Sequence, residues 1–203
     1  MSCSLVGSEM CIRDSANREE DYYRTLFKQC SKMMLTLNQM PQPVIAKVQG
    51  IATAAGCQLV AACDLAVAAD DSRFATSGIN VGLFCSTPSV PVSRNLGRKQ
   101  AMELLLTGHF IDAHTALQWG LVNRVVPASR LDQEVADLAG SIMSKSWVAV
   151  ATGKRMFYKQ LELPLESAYD YASGVMAGNM MADDVEEGVD AFMQKRTPVW
   201  KHQ

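Results

Sequence analysis

The run of residues most suggestive of chemistry is Gly50 to Gly56 (GIATAAG), in which Ile51 alone has a large side chain. Small residues allow the backbone to approach a ligand closely. The helix that follows is predicted to begin near Ala55 and Gly56, and the first amide N–H groups of a helix have no partner within it. Such free donors can stabilise an oxyanion that develops on a carbonyl group. The alternative interpretation is that the small residues merely let the helix pack closely on the preceding strand.

The segments on both sides of this run are predicted to form a β-α-β unit. Val44 to Val48 (VIAKV) is short and β-branched and predicts a strand. Cys57 to Cys63 (CQLVAAC) predicts a short buried helix, and Asp64 to Ala69 (DLAVAA) predicts a second buried strand. The residues between the two strands are enough for a crossover that joins parallel strands.

The rest of the chain is predicted to be mostly helical. Pro41 and Pro43 end the first helix, and the glycines and prolines of 73–91 predict a loop. The predicted helices are 16–40, 98–106, 112–119, 130–145, 147–160, 165–178 and 183–196, and a further strand is predicted at 121–126. This order of elements predicts an α/β fold with a helical appendage.

The composition argues against several classes of protein. Of the 203 residues, 48% are hydrophobic and 20% are charged, which is typical of a globular domain. The net charge of -2, without a basic block, predicts no nucleic-acid partner, and no apolar run is long enough to span a membrane. The six cysteines and three histidines lack the spacing of a zinc site, so no metal is predicted and the thiols are expected to be reduced.

Met1 to Ser15 (MSCSLVGSEMCIRDS) is predicted to be an extraneous leader and is left out of the fold prediction. It has no helical apolar face and a single arginine, so it is neither a secretory signal nor a transit peptide. We therefore expect that the natural start of the protein, with any targeting signal, is missing from this sequence.

Several motifs resemble the crotonase family, also called the enoyl-CoA hydratase/isomerase family. PVIAKVQG, followed by ATAAGCQL and CDL, looks like the second oxyanion motif of that family. The resemblance continues through LLTG, GLV and the C-terminal PVW, and it extends from about Ala16 to the last residue. Two longer stretches, ATAAGCQLVAACDLAVAADDSRFAT and NVGLFCSTPSV, look specifically like a mitochondrial member of the family.

The resemblance implies a crotonase-like ββα spiral that is truncated at the N-terminus and ends in a C-terminal helical trimerisation region. It implies a partial spiral core at 16–128 and a helical region of the same domain at 129–203, with a homotrimer or hexamer for the full-length protein. The implied ligand is an acyl-CoA thioester of mitochondrial fatty acid metabolism. No cofactor is expected apart from coenzyme A, which is part of the substrate.

In the family, two backbone N–H groups hold the thioester carbonyl oxygen and polarise the acyl group. The resemblance implies one donor at Ala55, where the family usually has glycine, and the other in an upstream loop that this sequence does not contain. Family hydratases also use two glutamates as general acid and base on a water molecule. Gln58 and Gly78 occupy those two positions here, so ordinary hydration is not expected. The residues expected to bind the substrate are Ile51, Thr53, Ala55, Gly56, Ser77, Gly78, Val81 and Gly82.

Three functions are compatible with these residues, and whether the protein is an enzyme stays open. The first is a family member that acts on acyl-CoA by chemistry other than hydration. The second is a non-catalytic member that binds acyl-CoA or serves as a scaffold. The third is a Clp-type peptidase, which would need a serine at the helix start in place of Gly56 and Cys57. Cys85, Ser86 and Thr87 are interpreted as lining of the pocket, because no histidine is close in sequence to activate them.

Overall fold

The computed structural model describes residues 19–201, so the leader predicted at 1–15 lies outside the described residues. The helices are α1 (Glu20–Gln39), α2 (Ala55–Ala62), α3 (Ser86–Asn95), α4 (Arg98–Thr107), α5 (Ala113–Trp119), α6 (Leu131–Met143), α7 (Trp147–Gln160), α8 (Leu165–Asn179) and α9 (Asp183–Met193). The strands are β1 (Ile45–Val48), β2 (Ile51–Thr53), β3 (Leu65–Ala69), β4 (Arg73–Ala75), β5 (Ile111–Asp112) and β6 (Arg124–Val126). Short 3-10 segments occur at Ser77–Val81 and Ala128–Arg130.

The chain divides into two compact units, which are described separately. Among the described residues, the first unit consists of residues 19–37 and 44–135, and the second consists of residues 38–43 and 136–201. The division of a single domain into a spiral core at 16–128 and a helical region at 129–203 stays a prediction.

The predicted β-α-β unit is present in the first unit. β1 and β3 pair in parallel, and β6 pairs in parallel with the other side of β3. Residues 66–69 of β3 are buried, as expected for a central parallel strand that is covered on both faces. Two side chains fix its start: the Asp64 carboxylate accepts from the Val44 N–H at 2.6 Å, and the Asn123 side chain accepts from the Ala66 N–H at 2.7 Å.

A second sheet, in the order β2-β4-β5, corrects the sequence prediction of a turn at 50–56 and a loop at 73–91. β2 and β4 are parallel, with Thr53 opposite Ala75, and β5 adds an antiparallel edge. Strands of two or three residues are too short to show an alternating apolar pattern, so no local pattern indicates them. Gly50, whose φ is 82°, makes the turn from β1 into β2.

Helix α3 also lies in the segment that was predicted to be a loop. It contains Pro88 and Pro91. A proline in the first turn of a helix is tolerated because the N–H that it lacks would have no partner there, and a proline further along removes a single hydrogen bond. The Asn95 side chain donates to the carbonyls of Ala61 at 2.8 Å and Pro91 at 2.7 Å. The bond to Ala61 ties the end of α3 to α2.

The buried apolar side chains of the first unit form one cluster. Phe74, Val92 and Leu104 are among its most deeply buried members. Thr76 is also completely buried, and its hydroxyl donates to the Leu104 carbonyl at 2.7 Å. The core therefore holds α4 against the residues that follow β4.

In the second unit, the segment after α9 is tied back to the helices. Arg196 makes a bidentate ion pair with the Glu187 carboxylate at 2.6 and 2.9 Å, and the Val199 N–H donates to the same carboxylate at 2.7 Å. These hydrogen bonds, chiefly those from Arg196, lower the pKa of Glu187 to about 2. The Trp200 indole N–H donates to the Ser144 carbonyl at 2.8 Å, which connects the segment to the end of α6.

Leu104 and Leu106 allow a test of the core, because both lie on α4 and they differ in burial. Leu104 is 1% exposed and Leu106 is 55% exposed. Leu104→Ala is expected to lower the free energy of unfolding by about 2–5 kcal/mol, because apolar burial is lost and a cavity remains. Leu106→Ala makes the same change in helix propensity and is expected to alter the free energy of unfolding by about 0.5 kcal/mol or less. Urea unfolding followed by circular dichroism measures both values, and equal losses would contradict this description of the core.

Candidate functional site

Ala54 lies between β2 and α2 and turns the chain from the strand into the helix. Its φ of 47° and ψ of -115° form a conformation that costs a residue with a Cβ on the order of 1–3 kcal/mol. Two hydrogen bonds hold it: its N–H donates to the Ala75 carbonyl, and its carbonyl accepts from the Gln58 N–H, both at 3.0 Å. The pairing of β2 with β4 therefore fixes the point at which α2 begins.

The first turn of α2 offers free amide donors. The N–H groups of Ala55 and Gly56 precede that of Gln58, which is the first N–H to donate within the helix, and no backbone carbonyl in residues 19–201 accepts from them. Both residues are only partly buried, and the helix dipole makes this end of α2 positive. The N–H of Ala55, which the family resemblance implies as an oxyanion donor, is thus available to a ligand.

Thr53 and Ser77 connect the ends of two parallel strands. Thr53 is the last residue of β2, and Ser77 begins the 3-10 segment after β4. Their hydroxyl oxygens are 2.7 Å apart. Parallel strands end at the same edge of a sheet. The structure therefore brings Thr53, Ser77 and Gly78 to the edge at which the first turn of α2 begins.

Gly78 is packed against the backbone of Leu83 and the thiol of Cys85. A Cβ added at Gly78 would lie 2.7 Å from the Leu83 carbonyl oxygen and 2.8 Å from Cys85 Sγ, closer than real Cβ atoms approach. The Gly78 N–H donates to the Cys85 sulfur, and its carbonyl accepts from the Leu83 N–H at 3.0 Å. This backbone has no space for a side chain at position 78.

Cys57 and Cys85 are buried thiols near this contact. Burial, and to a smaller extent the neighbouring Cys85, raises the pKa of Cys57 to about 12. Burial also raises the pKa of Cys85, although the Gly78 N–H acts in the opposite direction. Both thiols are therefore protonated at neutral pH, and a protonated thiol is a poor nucleophile. The Ser86 hydroxyl donates to the Phe84 carbonyl at 3.3 Å.

Gln58 lies in the first turn of α2, and its side chain is buried at 3% exposure. Its backbone N–H takes part in the helix. Gln58 and Gly78 are the two positions at which the family resemblance implies glutamates. A carboxamide does not exchange protons near neutral pH.

Ile51, Val81 and Gly82 are the predicted binding residues that are exposed. Ile51 begins β2 and is half exposed, and Val81 is almost fully exposed at the end of the 3-10 segment. Gly82 follows it with a φ of 80° and is exposed. Their contact with a substrate stays a prediction.

Ala54 and Leu83 contribute to the site, and the sequence reasoning did not identify them. A positive φ is usually predicted from a glycine, so the alanine at position 54 gives no indication of this conformation. Leu83 acts through its carbonyl group, so its side chain carries no signal of the contact with Gly78.

The part of the chain that the structure describes contains neither a membrane-spanning helix nor a metal-binding cluster. None of its helices has both the length and the apolar character needed to cross a membrane. Across the same residues, no group of three or more His, Cys, Asp or Glu side chains could hold a metal ion.

The chain belongs to the enoyl-CoA hydratase/isomerase family, whose sequence profile matches residues 8–203. Solved family structures superpose closely on it, which confirms the α/β crotonase fold with C-terminal helices. The free amides at the start of α2 lie in the stretch that resembles the family's oxyanion motif. The use of the C-terminal helices for trimerisation stays a prediction.

Within the family, the chain is similar to enoyl-CoA hydratase domain-containing protein 3, mitochondrial. It is 51% identical to the Rattus norvegicus protein over 182 residues, which are 90% of this chain and 61% of that one. The crystal structure of the human protein is 50% identical with a TM-score of 0.88, covering 92% of this chain and 74% of that one. An enoyl-CoA hydratase structure from Mycobacterium smegmatis is 55% identical with a TM-score of 0.90, covering 92% and 72%. The chain spans about 60% of the length of the curated mammalian relatives.

Gly78→Ala tests the packing at position 78. It is expected to lower the free energy of unfolding by about 1–3 kcal/mol, because the Leu83 backbone or the Cys85 thiol must move. Gly153→Ala is the control, since a Cβ at Gly153, in α7, meets nothing within 4 Å. That variant is expected to raise the free energy of unfolding by about 0.5–1 kcal/mol, through helix propensity. Chemical denaturation measures both, and a Gly78→Ala variant as stable as the wild type would refute the tight contact.

The raised pKa of Cys57 predicts a loss of stability in alkali. An ordinary thiol ionises near pH 9.0, whereas native Cys57 ionises near 12, so between these values the unfolded chain loses a proton that the folded chain keeps. The contribution of Cys57 is therefore complete below pH 9 and falls as the pH rises, by up to about 1.4 kcal/mol per pH unit. Guanidinium unfolding of wild type and Cys57→Ala between pH 8 and about 10.5 measures it. A difference between the two that does not change with pH would be inconsistent with a buried, protonated thiol.

Proposed function

We propose that the protein binds acyl-CoA thioesters in mitochondrial fatty acid metabolism, with the Ala55 N–H as a donor to the thioester carbonyl oxygen. The observation that carries this proposal is the pair of available amides at the start of α2. A carbonyl oxygen that accepts from amides at the positive end of a helix can gain negative charge at low cost. Membership of the enoyl-CoA hydratase/isomerase family supports a thioester as the source of that carbonyl. Coenzyme A enters as part of the ligand, and no other cofactor is proposed.

The same proposal includes the absence of the acid pair that would hydrate an enoyl group. General acid–base catalysis needs groups that exchange protons near the working pH. Gln58 has a carboxamide, which does not. The packing of Gly78 against Leu83 and Cys85 leaves no space for a carboxylate at the second position. These features support binding, or chemistry other than the addition of water.

A mitochondrial location and a homotrimer or hexamer for the full-length protein complete the proposal. The location is supported by relatives that are named as mitochondrial. The assembly is supported by large apolar side chains that are mostly exposed on or beside α9, because such side chains favour an interface. These side chains are Met180, Met181, Val189, Phe192 and Met193.

A non-catalytic member that binds acyl-CoA or acts as a scaffold is the second candidate. The protonated thiols of Cys57 and Cys85 favour it, because neither is ready to attack a thioester. The Clp-type peptidase loses its support, because the family match explains the spiral fold and α2 begins with Ala55, Gly56 and Cys57 rather than with a serine.

Calorimetric titration with butyryl-CoA and with free coenzyme A tests the binding. Butyryl-CoA is expected to bind more tightly than coenzyme A, because only the thioester offers a carbonyl oxygen to Ala55. Crotonyl-CoA hydration, followed by the loss of enoyl absorbance, is expected to be at least about 100-fold slower than that of a family hydratase assayed alongside, which is the lower end of what general acid–base groups contribute.

Gln58→Glu is the matched variant for the hydration assay, because it introduces one carboxylate of nearly the same shape. It is expected to stay slow, since position 78 still lacks an acid. Release of coenzyme A from butyryl-CoA, measured with a thiol reagent, separates the two candidates: release supports an enzyme, and binding alone supports a scaffold. Hydration within tenfold of the rate of the reference enzyme would refute the proposal that the acid pair is missing. Equal affinities for butyryl-CoA and coenzyme A would refute the proposed thioester site.

A further inference from the structure

The second unit contains a cavity for which the proposed function has no use. Its volume is about 340 Å³, which lies within the range of small-molecule sites. The residues that line it come from α7, α8, α9 and the positions next to them. Most of their side chains are apolar, and Phe192 and Trp200 contribute aromatic rings. Such a lining favours a compact apolar ligand that contains a ring.

The wall of the cavity that Trp200 forms is held in place from two sides. The indole N–H donates to the Ser144 carbonyl at 2.8 Å. A Cβ added at Gly188 would lie 3.4 Å from two carbons of the indole, so the glycine lets the ring lie directly against α9. The ring is therefore in position before a ligand arrives, and binding costs little ordering of this wall.

Asn179, the last residue of α8, brings an unused hydrogen-bond acceptor to the lining. Its side-chain oxygen, Oδ1, is buried and has no hydrogen-bond partner among residues 19–201. Buried polar atoms without a partner are rare, because they lose their bonds to water and gain none in return. The oxygen is covered by neighbouring atoms, but χ2 of asparagine is a soft torsion, so a small turn of the amide presents it to a donor in the cavity.

The other polar side chains of the lining are already bonded to groups of the chain. The Ser146 hydroxyl donates to one carboxylate oxygen of Asp184 at 2.5 Å, and the other oxygen accepts from the Lys201 N–H at 2.7 Å. Asp184 is 3% exposed, and the described residues that line the cavity include no Lys, Arg or His. A negatively charged ligand would place a second anion in this cavity without a cation to balance it, which is strongly unfavourable.

We propose that this cavity is a second ligand site, which takes a neutral aromatic molecule whose hydroxyl or N–H group donates to Asn179 Oδ1. The inference does not rest on the proposed function, because it concerns other residues and needs no thioester. Val189 and Phe192 line the cavity and also belong to the exposed apolar side chains that support assembly, so a second copy of the chain is the competing occupant. The unused acceptor favours a small ligand, since a donor must enter the cavity to reach it.

Titration of the isotope-labelled 203-residue chain, followed by NMR, tests the site with three probes. 4-ethylphenol has the ring and the donor, 4-ethylanisole has the ring without the donor, and 4-ethylbenzoate carries a negative charge instead. The phenol is expected to bind about three- to tenfold more tightly than the anisole, which is the effect of one net hydrogen bond. It is expected to shift the resonances of the Asn179 side-chain amide and the Trp200 indole N–H, whereas the benzoate is expected to cause no saturable shift.

Three variants assign the binding to this cavity. Asn179→Leu keeps the size of the side chain but removes the acceptor, so the preference for the phenol over the anisole is expected to fall to about one. Val185→Phe places a ring in the cavity and is expected to abolish saturable binding. Val199→Phe is the control, because it makes the same change at a residue that is 73% exposed and outside the lining, and it is expected to bind the phenol as the wild type does.

Saturable binding of the phenol that prefers the donor and is lost in Val185→Phe supports the site. Equal binding of phenol and anisole, a preference that survives in Asn179→Leu, or binding that survives in Val185→Phe overturns it. If Asn179→Leu does not melt cooperatively, the wild-type amide of Asn179 decides: a shift with the phenol supports the site, and no shift overturns it. A wild-type chain that binds none of the probes also overturns it, and a lower sedimentation mass of Val185→Phe would then assign the cavity to a second copy.

Discussion

The site depends on the parallel pairing of β2 with β4. Ala54 is where this pairing ends, since its N–H donates to Ala75 and its carbonyl is the first acceptor of α2. Ala54 both ends the pairing of β2 and begins α2, and it does so with a positive φ, a conformation that is unfavourable for alanine. The burial of Phe74 on β4 anchors the strand that holds it. Burial of the core thus offsets the backbone strain at Ala54, which directly precedes the available amides of α2.

Space and hydrogen bonding, more than charge, determine what the site can do. Its polar groups are backbone amides, the hydroxyls of Thr53 and Ser77, a carboxamide and two protonated thiols. Gly78 lies against the Leu83 carbonyl and the Cys85 thiol and cannot accept a side chain unless one of them moves. A site of this kind can hold and polarise a neutral carbonyl compound, but it has few means of moving protons to or from it.

The parts of the fold that the sequence predicted are those with long or strongly apolar patterns. The parallel pair β1 and β3 and the helices from α4 onward belong to this class, because burial on a regular period leaves a clear signal. β2 and β4 have three residues each, and α3 contains two prolines, so local pattern opposed or did not indicate them. In the site, the small-residue run pointed to free amides, whereas the φ of Ala54 and the contact between Gly78 and Leu83 arise from tertiary packing of the backbone.

The ion pair between Arg196 and Glu187 determines which solution conditions weaken the attachment of the C-terminal segment to α9. A carboxyl pKa lowered from 4.5 to about 2 means that acid removes this attachment only as the pH falls through that interval, well below the range in which proteins normally work. Dissolved salt acts on the pair at every pH, because counterions screen partly exposed charges. A rise in ionic strength, rather than mild acid, therefore weakens this ion pair and with it the attachment of the segment that carries Trp200.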